Sequence, residues 1–418
     1  IDNWGKLYGS AAGLAIQQLT RQQPGLIVCI TSSSSSAQQL SDQIQFYSKG
    51  DPQLFLNFPD WETLPYDVFS PHQDIISERL STLYQLPETL NGLLIVPIQT
   101  LMHRVAPKEY VQQRCLLLKT GQNLVLETFR QQLTTNGYEH VSTVLEHGEF
   151  AVRGSLIDLF PMGSTLPYRI EMFDDDIESI RTFDPESQRT IDIVLQLRLL
   201  PAREFPLDES AAKQFRQAYR VLFSGDPKAS VIYNEVTNRR APPGIEYFLP
   251  LFFEQTQTLF DYLPENTIIV SEHDILQQAG IFDDETLQRY ESARHDIERP
   301  ILPPEQLFIN RNDIENKISS FRSIQWQDYE HEQKNSINFN STAPPKLLIN
   351  ARASSPTEIL TQFIQSKPGR ILFAAESTGR RETLMGLLQD NNIRPVLFDS
   401  WHDFIESDQL LGITVAPL

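Results

Sequence analysis

Apolar and polar positions alternate through YRIEMF, so that Tyr168, Ile170 and Met172 point one way and Arg169, Glu171 and Phe173 the other. The pattern predicts a strand with one buried face. Its outward face mixes a guanidinium with a large aromatic, a composition common at protein-binding surfaces. This strand closes a longer alternating stretch over 149–173. Upstream the period is different. Leu7, Ala11, Leu14, Ala15 and Leu19 lie roughly on one side of a predicted helix over 4–19. Continuous apolar runs at 26–30, 54–58 and 93–97 read as buried strands. Helical spacing recurs at 37–47, at 74–86 (Ile75, Leu80, Leu83, Leu86) and briefly at 100–105. Strand–helix alternation of this kind implies a parallel sheet with helices on its faces.

At 115 the character changes. A strand (CLLLK), a helix over 123–135 and several alternating segments follow, with turns at Gly137, Gly148, Gly154, Met162-Gly163 and Asp174-Asp175-Asp176. They predict an antiparallel α+β insert over 115–201. Helices return at 209–222 and 287–298, with a strand at 267–270, as an interrupted domain resuming after its insert. Residues 322–345 are polar and aperiodic, which reads as a linker. A last α/β unit has strands at 346–349, 370–375 and 395–398 and helices at 355–365 and 381–388. The expected division is 1–114 and 202–321 for the interrupted domain, 115–201 for the insert, 322–336 for the linker and 337–418 for the last unit. Because the chain opens on Ile1 and stops in a strand-like run, it reads as a fragment.

Composition narrows the function. With 35 basic and 54 acidic residues, the formal charge is −19. Such a field repels phosphate backbones unless cations gather locally, and no basic stripe exceeds Arg239-Arg240 or Arg380-Arg381. Nucleic-acid binding by this chain alone is disfavoured. No apolar run reaches the roughly 18 residues of a membrane helix. Cys29 and Cys115 each sit in an apolar run and read as core residues in a reducing compartment.

Several long strings carry a resemblance. The TLPYD loop at 63–67 continues into FSPHQDII at 69–76. HGEFAVRGSLIDLFP, LFPMG, YRIEMFDDDIESIRTFDPESQRT and PGIEY follow in order. The chain is similar to the UvrB family of bacterial repair proteins, and within it to the transcription-repair coupling factors (Mfd). The likeness covers the whole chain and is weakest at 322–336. It implies a cytoplasmic bacterial protein with a degenerate P-loop-type α/β domain interrupted by the insert. It further implies that the insert docks onto UvrA, and that the binding patch maps onto Arg153, Arg169 and Phe173, with Arg181 a lesser candidate. RNA-polymerase-binding and ATP- and Mg-dependent motor domains are expected beyond Leu418, where RNA polymerase and DNA would be engaged.

The chemistry of the chain itself reads as non-catalytic. A P-loop needs glycines for close backbone approach, a lysine for the phosphates and a hydroxyl for magnesium. Where the resemblance places one, the residues are Gly9, Ser10, Ala11, Ala12 and Gly13, with Ala12 at the lysine position and Gly13 at the hydroxyl position. No ATP binding and no cofactor are expected here. Ser32–Ser36 and the turn at 375–381 read as helix caps before phosphate sites. Asp174-Asp175-Asp176 reads as a solvated turn before a cation site. No metal is expected. Only six residues separate Asp67 from the helix starting near 74, too few for the DNA-inserting hairpin that the resemblance would call for, and Tyr66 and Phe69 read as packed. The arginines themselves admit a plainer reading, a surface network with Glu149, Glu171 or Asp174. Two rival functions stay in view: a nucleotide-hydrolysing helicase half acting on DNA, and an autoinhibitory module packed on the parent's motor.

Overall fold

A computed structural model describes every residue except 1, 49–53, 334–335, 344, 346, 348–356, 367–368 and 417–418. The chain opens with strand β1 (Asp2–Gly5), where apolar spacing predicts a helix; helix α1 (Ala11–Gln22) starts only after a left-handed turn at Gly9, φ 57°. Then come β2 (Leu26–Thr31), α2 (Ser34–Ser48), β3 (Phe55–Asn57), α3 (Gln73–Gln85), β4 (Gly92–Pro97) and α4 (Ile98–Leu101). The helix expected at 100–105 is this shorter α4, and its second half is β5 (Arg104–Val105), ahead of α5 (Lys108–Gln113).

The insert holds β6 (Leu116–Lys119), α6 (Leu126–Thr135), β7 (Glu139–His140), β8 (Glu149–Arg153), β9 (Leu156–Leu159), β10 (Tyr168–Phe173), β11 (Asp176–Phe183), β12 (Thr190–Val194) and β13 (Gln196–Leu199). Helices α7 (Glu209–Leu222) and α8 (Val231–Thr237) follow, then β14 (Gln257–Thr258), α9 (Leu259–Tyr262), β15 (Ile268–Glu272) and α10 (Ile275–Ala293). Next are α11 (Pro304–Leu307), α12 (Arg311–Ser319), β16 (Arg322–Trp326) and β17 (Ser336–Asn338). The last unit comprises α13 (Glu358–Ser366), β18 (Ile371–Ala375), α14 (Thr378–Asp390), β19 (Val396–Leu397), α15 (Trp401–Glu406) and β20 (Leu411–Val415). The strand expected at 346–349 and the start of the helix expected at 355 lie outside the described residues.

The main sheet runs β17-β1-β16-β15-β2-β4-β3, with every pair parallel. Its central strands β2, β4 and β15 are buried on both faces, so they read as continuous apolar runs. Ile27 and Cys29 of β2 pack toward α1 and α2 with Ala15, Ile16 and Ile44. Leu26, Val28 and Ile30 pack the other way, into the larger core that includes Leu80, Leu83 and Phe282. Both cysteines are free, and burial pushes the Cys29 thiol well up. Two expectations are corrected here. The supposed linker 322–336 contributes β16, a central strand paired with both β1 and β15, and its C-terminal Ser336 begins β17. RSIQW carries little alternation because its place in the sheet, rather than an amphipathic face, specifies it. The helix expected at 287–298 begins instead at Ile275, since Gly280 and Asp283-Asp284 interrupt the apolar spacing of its first half.

The insert is a second sheet, in the order β12-β11-β10-β9-β8-β7 and antiparallel except for β7 with β8. Side-chain contacts anchor it, and the chain just beyond it at Glu204, to the main domain. Arg79 Nε donates to Glu204 Oε1 at 2.9 Å, its guanidinium lies 4.1 Å from the Phe58 ring centroid, and Trp61 Nε1 donates to Glu204 Oε2 at 2.9 Å. His147 bridges Asp74 Oδ1 (2.6 Å) and the Ser164 carbonyl (2.7 Å). Gly163 N–H donates to Ser77 Oγ at 2.8 Å; its φ of 79° and the closeness of Ser81 Oγ, 3.0 Å from where a Cβ would lie, require glycine there.

Candidate protein-binding face

The two faces of the insert sheet differ sharply. Phe150, Ile157, Ile170, Met172 and Ile180 point into the large core. On the outer face, pairing places Ala151, Asp158, Arg169, Arg181 and Ile193 in one transverse row across five strands. Arg153, Leu156, Glu171 and Ser179 form the row beside it. One end of this face is covered: Val144, Ala151, Phe160 and Phe183 make a small separate cluster under the 141–148 loop. The rest is open, and Phe173 projects from it 68% exposed.

The four candidate residues thus share a face but have different surroundings. Arg153 is exposed and donates from Nη2 to the Ser142 carbonyl at 2.7 Å. Arg181 faces Glu171 across the strands at 3.6 Å, and its shielded Nε makes no hydrogen bond. Arg169 is committed. Its Nε and Nη2 grip the buried Asp158 carboxylate at 2.7 and 2.9 Å, Nη1 reaches the Gln188 carbonyl at 3.3 Å, and the guanidinium lies 4.9 Å from the Phe183 ring centroid. Its hydrogen bonds to Asp158 hold its pKa above the ordinary value, with burial offsetting part of the effect. The bidentate fork that suits a partner carboxylate is therefore filled from within. The plainer reading of a surface network holds for Arg181 with Glu171, whereas the internal partner of Arg169 is Asp158, which periodicity did not single out.

Gly9 to Gly13 lie on the turn from β1 into α1, a strand–loop–helix arrangement. Ser10 precedes the helix without capping it and shares a 2.7 Å hydrogen bond with Tyr47 Oη. Tyr8 N–H donates to Ser341 Oγ at 3.2 Å. A Cβ on Gly13 would lie 2.5 Å from Gln43 Cβ, so this glycine serves the close approach of α1 and α2. The Trp401 ring of α15 stands 5.3 Å from that of Tyr47, edge to face.

The other motifs resolve into local structure. Ser33 Oγ accepts from Ser36 N–H, and Ser377 Oγ from Arg380 N–H, both as helix caps. In the acidic turn Asp174 has φ 53°, and Asp176 accepts from Asn123. Among the described residues no cluster of three His, Cys, Asp or Glu side chains is arranged to hold a metal ion, and no helix is long and apolar enough to cross a membrane. Between β3 and α3 the described residues form no strand. Tyr66 packs among Tyr247, Tyr290 and Phe308, as expected for a packed aromatic, but Phe69 is 65% exposed, which corrects the reading of that pair.

Family models match two parts of the chain, the UvrB interaction domain over residues 116–205 and the MFD D3 domain over 363–418. The chain is 42% identical over 394 residues to the transcription-repair-coupling factor of Escherichia coli, covering 94% of this chain. The Haemophilus influenzae protein of the same name gives 42% over 397 residues, and that of Myxococcus xanthus 31% over 335. The chain is a homologue of the transcription-repair-coupling factors. It spans about a third of the length of these relatives (34%, 34% and 28%). The UvrB interaction domain match contains all four candidate residues. Within this transcription-repair-coupling-factor homologue, sequence reasoning missed the apolar residues at the Arg181 side of the sheet: Ile191, Ile193 and Leu195 are 51%, 73% and 77% exposed, and Ile193 pairs with Arg181. TIDIVL alternates in the same way as YRIEMF, and that signal was readable.

Proposed function

We propose that this chain is a non-catalytic mimic of UvrB that recruits UvrA in transcription-coupled nucleotide excision repair. The parent would be an ATP-dependent DNA translocase that displaces stalled RNA polymerase, with ATP, magnesium, DNA and polymerase engaged outside this chain. The observation that carries the reading is the open outer face of the insert sheet, which Phe173, two-thirds exposed, shares with Arg153 and Arg181, inside the segment matched by the UvrB interaction domain. An exposed aromatic on one face with arginines has the composition of a binding hot spot. Arg169 supports this face by holding Asp158 and the β9–β10 pair. The turn at Gly9 to Gly13 supports the non-catalytic half of the reading. It has no lysine at Ala12, and Tyr47, Gln43 and Ser341 crowd it. The test is capture of purified UvrA by the chain and by variants carrying Arg153→Ala, Arg169→Ala and Phe173→Ala. Capture should fail for the triple variant, and for Arg153→Ala with Phe173→Ala alone. Undiminished capture by the folded double variant contradicts the assigned patch.

A further inference from the structure

Strand β12 ends the insert sheet, with β11 on one side and, among the described residues, no strand on the other. Exposed edges of soluble proteins are ordinarily blunted by lysine, proline or an inward charge. This edge carries one charge, Asp192, on its opposite face, and displays Ile191 and Ile193, each more than half exposed, at alternate positions along the outer face, with the exposed Leu195 in the bend that follows. Ile193 completes the transverse row that holds Arg169 and Arg181, so the stripe adjoins the arginine row of the outer face. The backbone is also available. Asp192 turns its N–H and C=O toward Thr182 Oγ1 on β11, at 3.2 and 3.5 Å. Backbone groups alternate sides along a strand, so those of Ile191 and Ile193 face the open edge.

We propose that β12 is the second half of the binding face and receives an extended segment of the partner as an added strand; this rests on the UvrA reading above. The segment the edge fits is an alternating peptide. It exchanges backbone hydrogen bonds with Ile191 and Ile193, lays apolar side chains on the isoleucine stripe and directs a carboxylate to Arg181, whose own partner Glu171 is 3.6 Å away. A second copy of this chain is disfavoured as the occupant, because two chains of formal charge −19 repel each other.

Ile193→Pro removes one edge N–H without touching Arg153, Arg169 or Phe173, and proline is tolerated where the N–H faces solvent. Titration of UvrA with this variant should show affinity weakened about tenfold or more, with the melting of the free chain little changed. Ile193→Lys, which keeps the N–H, separates the apolar contribution, and serves alone if the proline variant melts early. Hydrogen exchange of the wild-type complex should show protection gained at the amides of Ile191 and Ile193. Wild-type affinity in both variants, with those amides exchanging as in the free chain, overturns the proposal. If Arg153→Ala with Phe173→Ala abolishes binding while the β12 variants bind normally, only this inference falls; if none weakens binding, the UvrA reading falls too. A dimer of the chain alone that Ile193→Pro dissolves assigns the edge to a second copy and likewise overturns the proposal.

Discussion

Arg169 and Phe173 sit four residues apart on one strand face, yet they differ in what their loss would do. Asp158 is 4% exposed and receives two charge-assisted hydrogen bonds from Arg169. Removing that partner strands a buried carboxylate, which costs about 3–5 kcal/mol when fully buried and less here, about 2–3 kcal/mol, because the Arg169 side chain is 21% exposed. Arg169→Ala should therefore lower stability in chemical denaturation by about that amount, while Arg153→Ala and Phe173→Ala stay within about 0.5 kcal/mol of wild type. Equal stability of all three would show that the Asp158 pair contributes nothing. A second residue-scale expectation concerns Glu246. Burial raises its pKa to about 7; hydrogen bonds from its own N–H and Ser70 Oγ offset part of this, Glu204 adds to it and Arg203 opposes it. The folded chain then keeps a proton that the unfolded chain releases near pH 4.3. Stability falls as pH rises from about 4.3 to 7 and levels off above. Glu246→Gln, neutral throughout, should gain on wild type across that window, by up to about 3 kcal/mol at pH 8. A difference independent of pH would contradict the buried, protonated carboxyl.

At the scale of elements, what was legible followed from which force specified each segment. Strands such as Tyr168–Phe173, with one buried and one open face, announce themselves by alternation, and so do double-buried runs such as Leu26–Thr31. β1, β16 and β17 were not legible. Only Trp4, Gly5, Ser323 and Ile324 are buried in β1 and β16, and parallel pairing holds these short segments in the sheet. The same limit applies to the site. The shared face of Arg169 and Phe173 could be read from parity, but the Asp158 grip depends on which strand lies beside β10, and parity carries no such information. Glycine at position 13 is an element-scale feature as well. With Gln43 Cβ 2.5 Å from its virtual Cβ, Gly13→Val should force α1 and α2 apart and cost about 1–3 kcal/mol by thermal or chemical denaturation. Unchanged stability would mean that the helices can separate there freely.

For the whole molecule, the main sheet acts as a platform. The His147 bridge and Gly163 against Ser77 tie the insert to it, and Arg79–Glu204 anchors the chain just beyond the insert, so the outer face is presented by an anchored sheet rather than by a loop. The turn before α1 is closed in by α2 and by Ser341, and Trp401 of the last unit packs on Tyr47 beside it. A ligand that binds only the folded state raises the melting temperature. Millimolar ATP with magnesium should leave the melting of this chain unchanged; a dose-dependent rise would favour the nucleotide-hydrolysing reading. An autoinhibitory role in the parent is compatible with the UvrA reading, and would appear as raised ATPase of the parent once this module is deleted.

The central claim, that the outer face of the insert sheet recruits UvrA through Phe173 and its arginines, is tested most directly by calorimetric titration of UvrA with this chain and with its Arg153→Ala, Phe173→Ala double variant at low and high salt. The account predicts binding by the wild-type chain that weakens as salt screens the arginines, and at least about a hundredfold loss in the double variant with its fold intact. Equal affinity of the two chains at either salt concentration would contradict it.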